Sequence, residues 1–462
     1  MKLFKALLPL LLVAAACTSN PVLDIQGGKV RGVKTGDVTV FKGIPYAAAP
    51  VGELRWKAPQ PVTAWEGILE ADTFSKVAPQ PGQEPGSFYW KEFYWEGTPE
   101  ESEDCLYLNV WAPSGTLAKP ETKLPVAMWI HGGAYHNGYG FEITMDGQEW
   151  AKRGVILVTI NYRMGALGFL SHPELTAEGN GTSGNYGMLD QIAALDWIKA
   201  NIAQFGGDPD NVTIFGQSAG ASSVKNLAIS PLSKGKISKA IIQSGGGLSA
   251  RAPRNLQPDQ AFYDAQGKAA MDYAGFTDLA KMRAASVEEI DAAVAGYTAE
   301  FKAPVSLRPH ADGIVMSNSF DGAVYASEAA DVPYMIGCNS EDMGGLGGPA
   351  IARFGAVRDS LSNQPVYQYY FTRNLPGDED PENDAFVAKY GKNPANIVLG
   401  ETGAFHSAEL WYVFGTLDNS WRPFTEADRK LSSYMLDAWT GFCKNGTPGW
   451  DAAPYCENLD VD

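Results

Sequence analysis

One segment in the middle of the chain limits its fold more than any other. The apolar run 212–215 leads directly into Gly216-Gln217-Ser218-Ala219-Gly220, and helix-compatible residues follow from 221 to 228. A strand that passes through G-x-S-x-G into a helix must turn very tightly. We therefore expect a side chain at either glycine to collide with the neighbouring strand and helix, and the serine to be strained with its hydroxyl exposed.

Short apolar runs bounded by turn residues recur on both sides of this segment. They are too continuous for strands with one face in water, so they favour a sheet that is covered on both faces. Between residues 185 and 205 apolar residues recur every three or four positions, which predicts a helix. Alternating strands and helices predict an α/β fold with a mostly parallel central sheet. The predicted strands are 125–130, 155–161, 212–215, 239–243 and 333–338.

The start of the chain has the pattern of an export signal. Lys2 and Lys5 precede an apolar run from 6 to 13, and three alanines stand before Cys17. Because this arrangement resembles the lipobox of bacterial lipoproteins, we expect export to the cell envelope and a lipid anchor on Cys17. Plain cleavage, which would give a secreted or periplasmic protein, is the alternative. No later stretch approaches the roughly 20 apolar residues of a membrane span, so membrane contact is expected only through Cys17.

Residues 18–462 are predicted to form one domain. The polar stretches near 80–102, 251–305 and 375–395 contain many Gly, Pro and Asp residues and are interpreted as loop and helix insertions on one scaffold. The chain has 36 Lys and Arg against 53 Asp and Glu, a net charge of -17, and no basic run that could bind nucleic acid. The acidity favours solubility of an exported protein, with steering of a cationic substrate as the alternative.

Four cysteines remain after Cys17. In an oxidising compartment, Cys443 and Cys456 are the natural disulfide pair because they flank a Gly/Pro-rich tail that a bridge could hold. Cys105 and Cys338 lie in apolar runs and are predicted to be buried thiols.

Two further polar residues, a base and an acid, would be needed to make Ser218 a nucleophile. A serine hydroxyl needs a base to take its proton, and of the five histidines only His406 comes late enough for the order serine, acid, histidine. The acid is expected just after the strand 333–338, where a carboxylate would fix the imidazole tautomer. Glu341 and Asp342 both stand there, and we favour Asp342.

Attack on an ester would place negative charge on the carbonyl oxygen. Backbone N–H groups aimed at that oxygen are expected from His131-Gly132-Gly133-Ala134, which follows the strand 125–130. The predicted donors are Gly133, Ala134 and Ala219. We expect no cofactor and no metal ion to take part.

These segments resemble the type-B carboxylesterase and cholinesterase family, which includes para-nitrobenzyl esterases. The resemblance runs from about Gly27 to about residue 450. It implies an α/β-hydrolase fold, ester hydrolysis through an acyl-serine intermediate, and a triad of Ser218, Asp342 and His406. It also implies two structural ion pairs, Arg55 with Glu103 and Arg163 with Asp190. The hallmark segments are 41–47 (FKGIPYA), 102–111 (SEDCLYLNVW) and 205–220 (FGGDPDNVTIFGQSAG).

The chain departs from the family pattern at four positions. Ala78 replaces a cysteine that usually pairs with the one at Cys105, so Cys105 is expected to be free. The acid is usually Glu, where this chain has Asp342. Gln217 replaces the Glu that precedes the nucleophile in cholinesterases, which weakens the case for a cationic alcohol group. Ala134 replaces the third glycine of the oxyanion motif and keeps its N–H.

The insertion 88–95 contains Phe88, Tyr89, Trp90, Phe93, Tyr94 and Trp95. These aromatic residues could line a substrate cavity or pack within their own loop, and the sequence favours neither.

Taken together, the patterns predict a serine hydrolase of small to medium carboxylic esters with a small-molecule substrate. One alternative is a catalytically silent adhesion or binding member of the same fold. Another is an enzyme that cleaves amide, thioester or long-chain lipid ester bonds.

Overall fold

A large twisted sheet organises the chain. The computed structural model describes residues 20–250, 260–342, 347–377 and 403–461. The predicted export signal with Cys17 therefore lies outside the described residues, as does most of the stretch near 375–395. Within the described ranges the sheet has ten strands. In spatial order they are β13 (Cys456–Leu459), β12 (Val366–Phe371), β11 (Tyr334–Asn339), β10 (Lys239–Gln243), β9 (Gly207–Gln217), β7 (Leu124–Ile130), β8 (Ile156–Ile160), β6 (Tyr107–Pro113), β4 (Val38–Pro45) and β3 (Val33–Thr35).

Most of the sheet is parallel, as predicted. From β13 through β12, β11, β10, β9 and β7 to β8, every neighbouring pair runs in the same direction. The antiparallel strands β6, β4 and β3 extend the sheet beyond β8. A separate small sheet contains β1 (Val22–Ile25), β2 (Gly28–Arg31) and β5 (Ile68–Glu70).

Alternate residues of the central strands enter two different hydrophobic cores. In β7, Met128 packs into one core and Trp129 into the other; in β8, Val158 and Leu157 divide in the same way. Because both faces of each strand are buried, the sequence shows continuous apolar runs rather than alternation.

Helices on both faces cover the sheet, as predicted. The helices in the described ranges are α1 (Gln148–Lys152), α2 (Gly165–Phe169), α3 (Pro173–Glu178), α4 (Tyr186–Asn201), α5 (Ala219–Ile229), α6 (Gln260–Tyr273), α7 (Leu279–Ala284), α8 (Val287–Phe301), α9 (Phe320–Tyr325), α10 (Gly347–Leu361), α11 (Leu410–Phe414) and α12 (Glu426–Asn445).

The cysteine predictions have different outcomes. Cys105 and Cys338 are buried free thiols, as expected. The expected disulfide between Cys443 and Cys456 is wrong, because both are free in the structure. Cys443 is on the buried face of α12, whereas Cys456 is exposed where β13 joins the sheet edge, so the two elements present their thiols in different environments.

Two ion pairs support the scaffold near the sheet, as the family resemblance implied. Arg163 donates two hydrogen bonds to Asp190 at 2.7 and 2.8 Å, and both side chains are almost fully buried. Arg55 makes a two-point contact with Glu103, with its Nε 2.7 Å from Oε2. Neither pair lines the cavity described below. No helix in the described part of the chain combines the length and apolarity of a membrane span.

Candidate active site

Ser218 occupies the sharp turn between β9 and α5. Its φ is 58° and its ψ is -121°, a conformation that residues with a Cβ rarely adopt. A Cβ on Gly216 would lie 2.6 Å from the Ile130 oxygen, and one on Gly220 would lie 2.0 Å from the same atom. The predicted strain at the serine and the predicted exclusion of side chains at both glycines are therefore confirmed.

The loop after β11 brings one of the two candidate acids to His406. The Oδ1 atom of Asp342 lies 2.6 Å from Nδ1 of His406, and both side chains are buried. The Glu341 side chain is exposed and lies beside Gly403 instead. A carboxylate on Nδ1 keeps the proton of a neutral imidazole there and leaves Nε2 free to accept one.

A buried amide holds the segment that carries His406 against the end of β11. The Nδ2 atom of Asn339 donates to the Phe405 carbonyl at 2.7 Å and to Oε2 of Glu409 at 2.6 Å. Glu409 is fully buried, and burial raises its pKa to about 7, with the nearby Asp342 charge adding to the effect. These contacts restrict the segment on either side of the imidazole, which fixes the direction of the ring.

Ser218 and His406 line the same cavity, although they are far apart in sequence. The Nε2 atom of His406 lies 3.3 Å from Nε2 of Gln217, the residue before the serine. The imidazole nitrogen opposite Asp342 is thus turned toward the β9–α5 turn. The structure brings together the serine, the acid and the histidine that the sequence singled out.

The loop after β7 forms another wall of this cavity. Gly132, Gly133 and Ala134 all line it, and a Cβ on Gly132 would lie 3.2 Å from the Ser218 Cβ. Gly133 and Ala134 have φ values of 92° and 56°, and this left-handed turn exposes backbone beside the serine. Ala219 begins α5, whose first N–H groups have no partner within the helix. All three predicted oxyanion donors therefore adjoin Ser218 in space or in sequence.

Three of the other four histidines have contacts that explain them without chemistry. His131 is buried against Tyr162, with ring centroids 4.4 Å apart, and burial lowers its pKa to about 4. His172 caps α3 by accepting the Glu174 N–H, and His310 stacks on Tyr263 at 3.8 Å. His136 is exposed.

The cavity has a volume of about 390 Å³, and one side of its wall is aromatic. From the insertion, Tyr89, Phe93 and Tyr94 line it, whereas Phe88 packs edge-on against Phe405 and Trp95 is exposed. The insertion thus combines the two roles that the sequence left open. Its single π-helical turn, Trp90–Tyr94, is held by a fully buried ion pair between Glu92 and Arg422.

Sequence reasoning missed several cavity residues. Glu142, Met145 and Leu410 line the cavity, and Gln217 was considered only as a departure from the family pattern. An acid within the largely apolar run 139–145 is the signal that could have drawn attention to Glu142. In the described residues no three His, Cys, Asp or Glu side chains gather as metal ligands would.

Comparison with known proteins gives a consistent assignment. The model of the carboxylesterase family matches residues 19–350 and 349–455. The para-nitrobenzyl esterase of Bacillus subtilis is 32% identical over 474 residues, covering 95% of this chain and 92% of that protein. The fumonisin B1 esterase of Sphingopyxis macrogoltabida is 34% identical and covers 94% of this chain and 84% of its own length.

Solved structures agree with the sequence comparison. A thermophilic PNB esterase superposes with a TM-score of 0.78 at 29% identity, over 96% of this chain and 97% of the other. A carboxylesterase of Geobacillus stearothermophilus gives a TM-score of 0.72 at 29% identity, over 95% and 96%. The fold and the relatives together show that this chain belongs to the carboxylesterase family and is an α/β-hydrolase that cleaves carboxylic esters.

Proposed function

We propose that the protein is a serine esterase in which Ser218 is the nucleophile, His406 the base and Asp342 the acid that orients it. The observation that carries this proposal is the strained Ser218, which shares one cavity with a His406 already bound to Asp342. A catalytically silent protein would have no need to maintain backbone strain at a serine beside a carboxylate-bound imidazole.

The first half of the reaction follows from this arrangement. Nε2 of His406 takes the Ser218 proton while Oγ attacks the ester carbonyl carbon, and Asp342 stabilises the imidazolium that forms. The N–H groups of Gly133, Ala134 and Ala219 receive the negative charge on the carbonyl oxygen. His406 then protonates the departing alcohol, which leaves the acyl group on Ser218.

The second half returns the enzyme to its starting state. His406 takes a proton from water as that water attacks the acyl carbon, and it returns the proton to Ser218 when the acid leaves. The side-chain amide of Gln217 contacts Nε2 of His406 in the structure. This amide must therefore move away before the serine hydroxyl or the water can bind to Nε2.

We propose small to medium carboxylic esters as the substrates. A cavity of about 390 Å³ lies toward the small end of the usual range for ligand sites, and its wall suits an apolar acyl or alcohol group. Some relatives are named for other esters, among them the bile salt-activated lipase of Rattus norvegicus and a medium-chain fatty acyl-CoA hydrolase of Anas platyrhynchos. The length of the acyl chain therefore needs a direct test.

We expect kcat/KM to be highest for para-nitrophenyl esters of short or medium acyl length and to fall for long acyl chains. The matching para-nitroanilide should be cleaved far more slowly, and EDTA should leave ester turnover unchanged. Initial rates across the series would check this. Negligible turnover of every short ester, together with cleavage of the anilide, would reject this substrate class.

We further propose that residues 1–17 direct export and that Cys17 carries the lipid anchor. Support comes from the positive start, the apolar run and the alanines before the cysteine. Cells expressing the full chain should place it in the membrane fraction, and Cys17→Ala should shift it to the soluble exported fraction. An N-terminus mapped by mass spectrometry to an unmodified residue would contradict the lipid and favour plain cleavage.

A further inference from the structure

Glu142 places a carboxylate in the wall of the catalytic cavity. It lies in the loop between β7 and α1 and is 8% exposed, yet it lines the same cavity as Ser218 and His406. The Oε1 atom of Glu142 accepts two hydrogen bonds, from the Tyr94 hydroxyl at 2.8 Å and from the Tyr139 N–H at 3.2 Å. Within the described ranges, no hydrogen bond or ion pair engages Oε2. This atom is the one available to a ligand.

The charge of this carboxylate is poorly compensated by the protein. In the part of the chain that the structure describes, no lysine or arginine lines the cavity, and Glu142 has no ion pair. Burial raises its pKa to about 7, although the bonds from Tyr94 and Tyr139 act in the opposite direction. A buried carboxylate gains most from a partner that brings both a hydrogen bond and a positive charge.

The aromatic wall beside Glu142 favours the same kind of partner. Tyr89, Phe93 and Tyr94 line the cavity, and the Tyr94 hydroxyl is already bound to the carboxylate. Aromatic ring faces attract cations, most strongly where water is excluded. A cation that binds Oε2 would therefore meet a carboxylate and aromatic side chains together. A neutral hydroxyl would supply the hydrogen bond without the charge.

We propose that Glu142 selects esters that carry a protonated amine near the ester group, by accepting an N–H bond at Oε2. The proposal rests on the proposed function, because the ester must reach Ser218 in the same cavity. It differs from recognition of a quaternary ammonium group, which has a charge but no N–H to donate.

A matched pair of esters tests this selection. We would compare 2-(dimethylamino)ethyl butanoate with its carbon isostere 3-methylbutyl butanoate at pH 8, where most of the amine is protonated and most of the Glu142 carboxyl is ionised. The wild-type protein should prefer the amine in kcat/KM by about tenfold or more, the effect of one hydrogen bond to a charged group. Glu142→Gln should lower this ratio about tenfold, because it keeps an oxygen for Tyr94 but loses the charge. Glu142→Asp should retain most of the preference.

A third ester and a control variant sharpen the result. Relative to 3-methylbutyl butanoate, kcat/KM should rise less for the quaternary 2-(trimethylammonio)ethyl butanoate than for the protonated amine. Glu96→Gln removes a nearby exposed charge outside the cavity wall and should leave the ratio unchanged. This control separates binding at Glu142 from general electrostatic attraction of a cation.

The proposal would be overturned if the wild-type protein showed no preference for the amine, or if Glu142→Gln slowed both esters equally. The second result would assign Glu142 a structural role through Tyr94. A preference for the quaternary ester over the amine would contradict the N–H bond. Failure to cleave either ester or para-nitrophenyl butanoate would overturn the proposed function itself, and this inference with it.

Discussion

Replacing Ser218 with alanine is expected to lower kcat for para-nitrophenyl butanoate by a factor on the order of 10⁴ to 10⁶. The Ser218 hydroxyl supplies the oxygen that forms the acyl bond, so the acyl-enzyme route through this residue is lost with it. Alanine keeps a Cβ, so the backbone strain at φ 58° is the same in the variant and its fold should be retained. The residual rate would come from the oxyanion donors and the cavity alone.

Covalent labelling gives a second measure of the same prediction. A fluorophosphonate should add one label per chain to the wild-type protein, detected by intact mass, and none to Ser218→Ala. Ser222→Ala is the matched control, because Ser222 lies one turn further along α5 and its N–H bonds to the Ser218 carbonyl. It should be labelled like the wild type. Stoichiometric labelling of Ser218→Ala would show that another residue is the nucleophile.

Replacing Asp342 with asparagine should reduce kcat by a factor on the order of 10⁴, with a much smaller change in KM. Asparagine preserves the size of the side chain but can present its N–H to Nδ1 of His406, which favours the wrong tautomer. It also removes the charge that stabilises the imidazolium during the reaction. Steady-state kinetics with para-nitrophenyl butanoate, together with the thermal unfolding midpoint, would separate lost chemistry from lost folding.

The neighbouring acid provides the control. Glu341→Gln should change kcat less than about threefold, because the Glu341 side chain is exposed and lies beside Gly403 rather than His406. Asp342→Glu should recover much of the activity lost in Asp342→Asn, since it restores the charge on a longer arm. If Glu341→Gln were the more damaging change, the acid would have to be reassigned to Glu341.

Much of the scaffold could be predicted from the residues. The strands 125–130 and 239–243 and the helix between 185 and 205 appear close to their predicted bounds, because long apolar runs and helical spacing are local signals. The turn at Ser218 was also predictable in detail, since its two glycines follow from a steric conflict that the sequence context defines. The antiparallel strands β4 and β6 were not identified beforehand, because their apolar runs are interrupted by polar residues.

Other features depend on contacts between residues far apart in the chain. Sequence order could place an acid after β11, but only the path of the loop shows that Asp342 meets His406 while Glu341 points outward. The tail predicted a bridge between Cys443 and Cys456, whereas the packing of α12 buries one thiol and the edge strand exposes the other.

The sequence by itself determined the α/β architecture, the strained serine turn and the choice of His406 as the candidate base. Each of these depends on local periodicity, on glycine sterics or on the order of motifs along the chain. The tertiary structure decided which acid binds His406, which aromatic residues of the insertion line the cavity, and that Glu142 faces the same space. Those outcomes depend on the direction of individual side chains after long-range packing, and a one-dimensional pattern does not encode that direction.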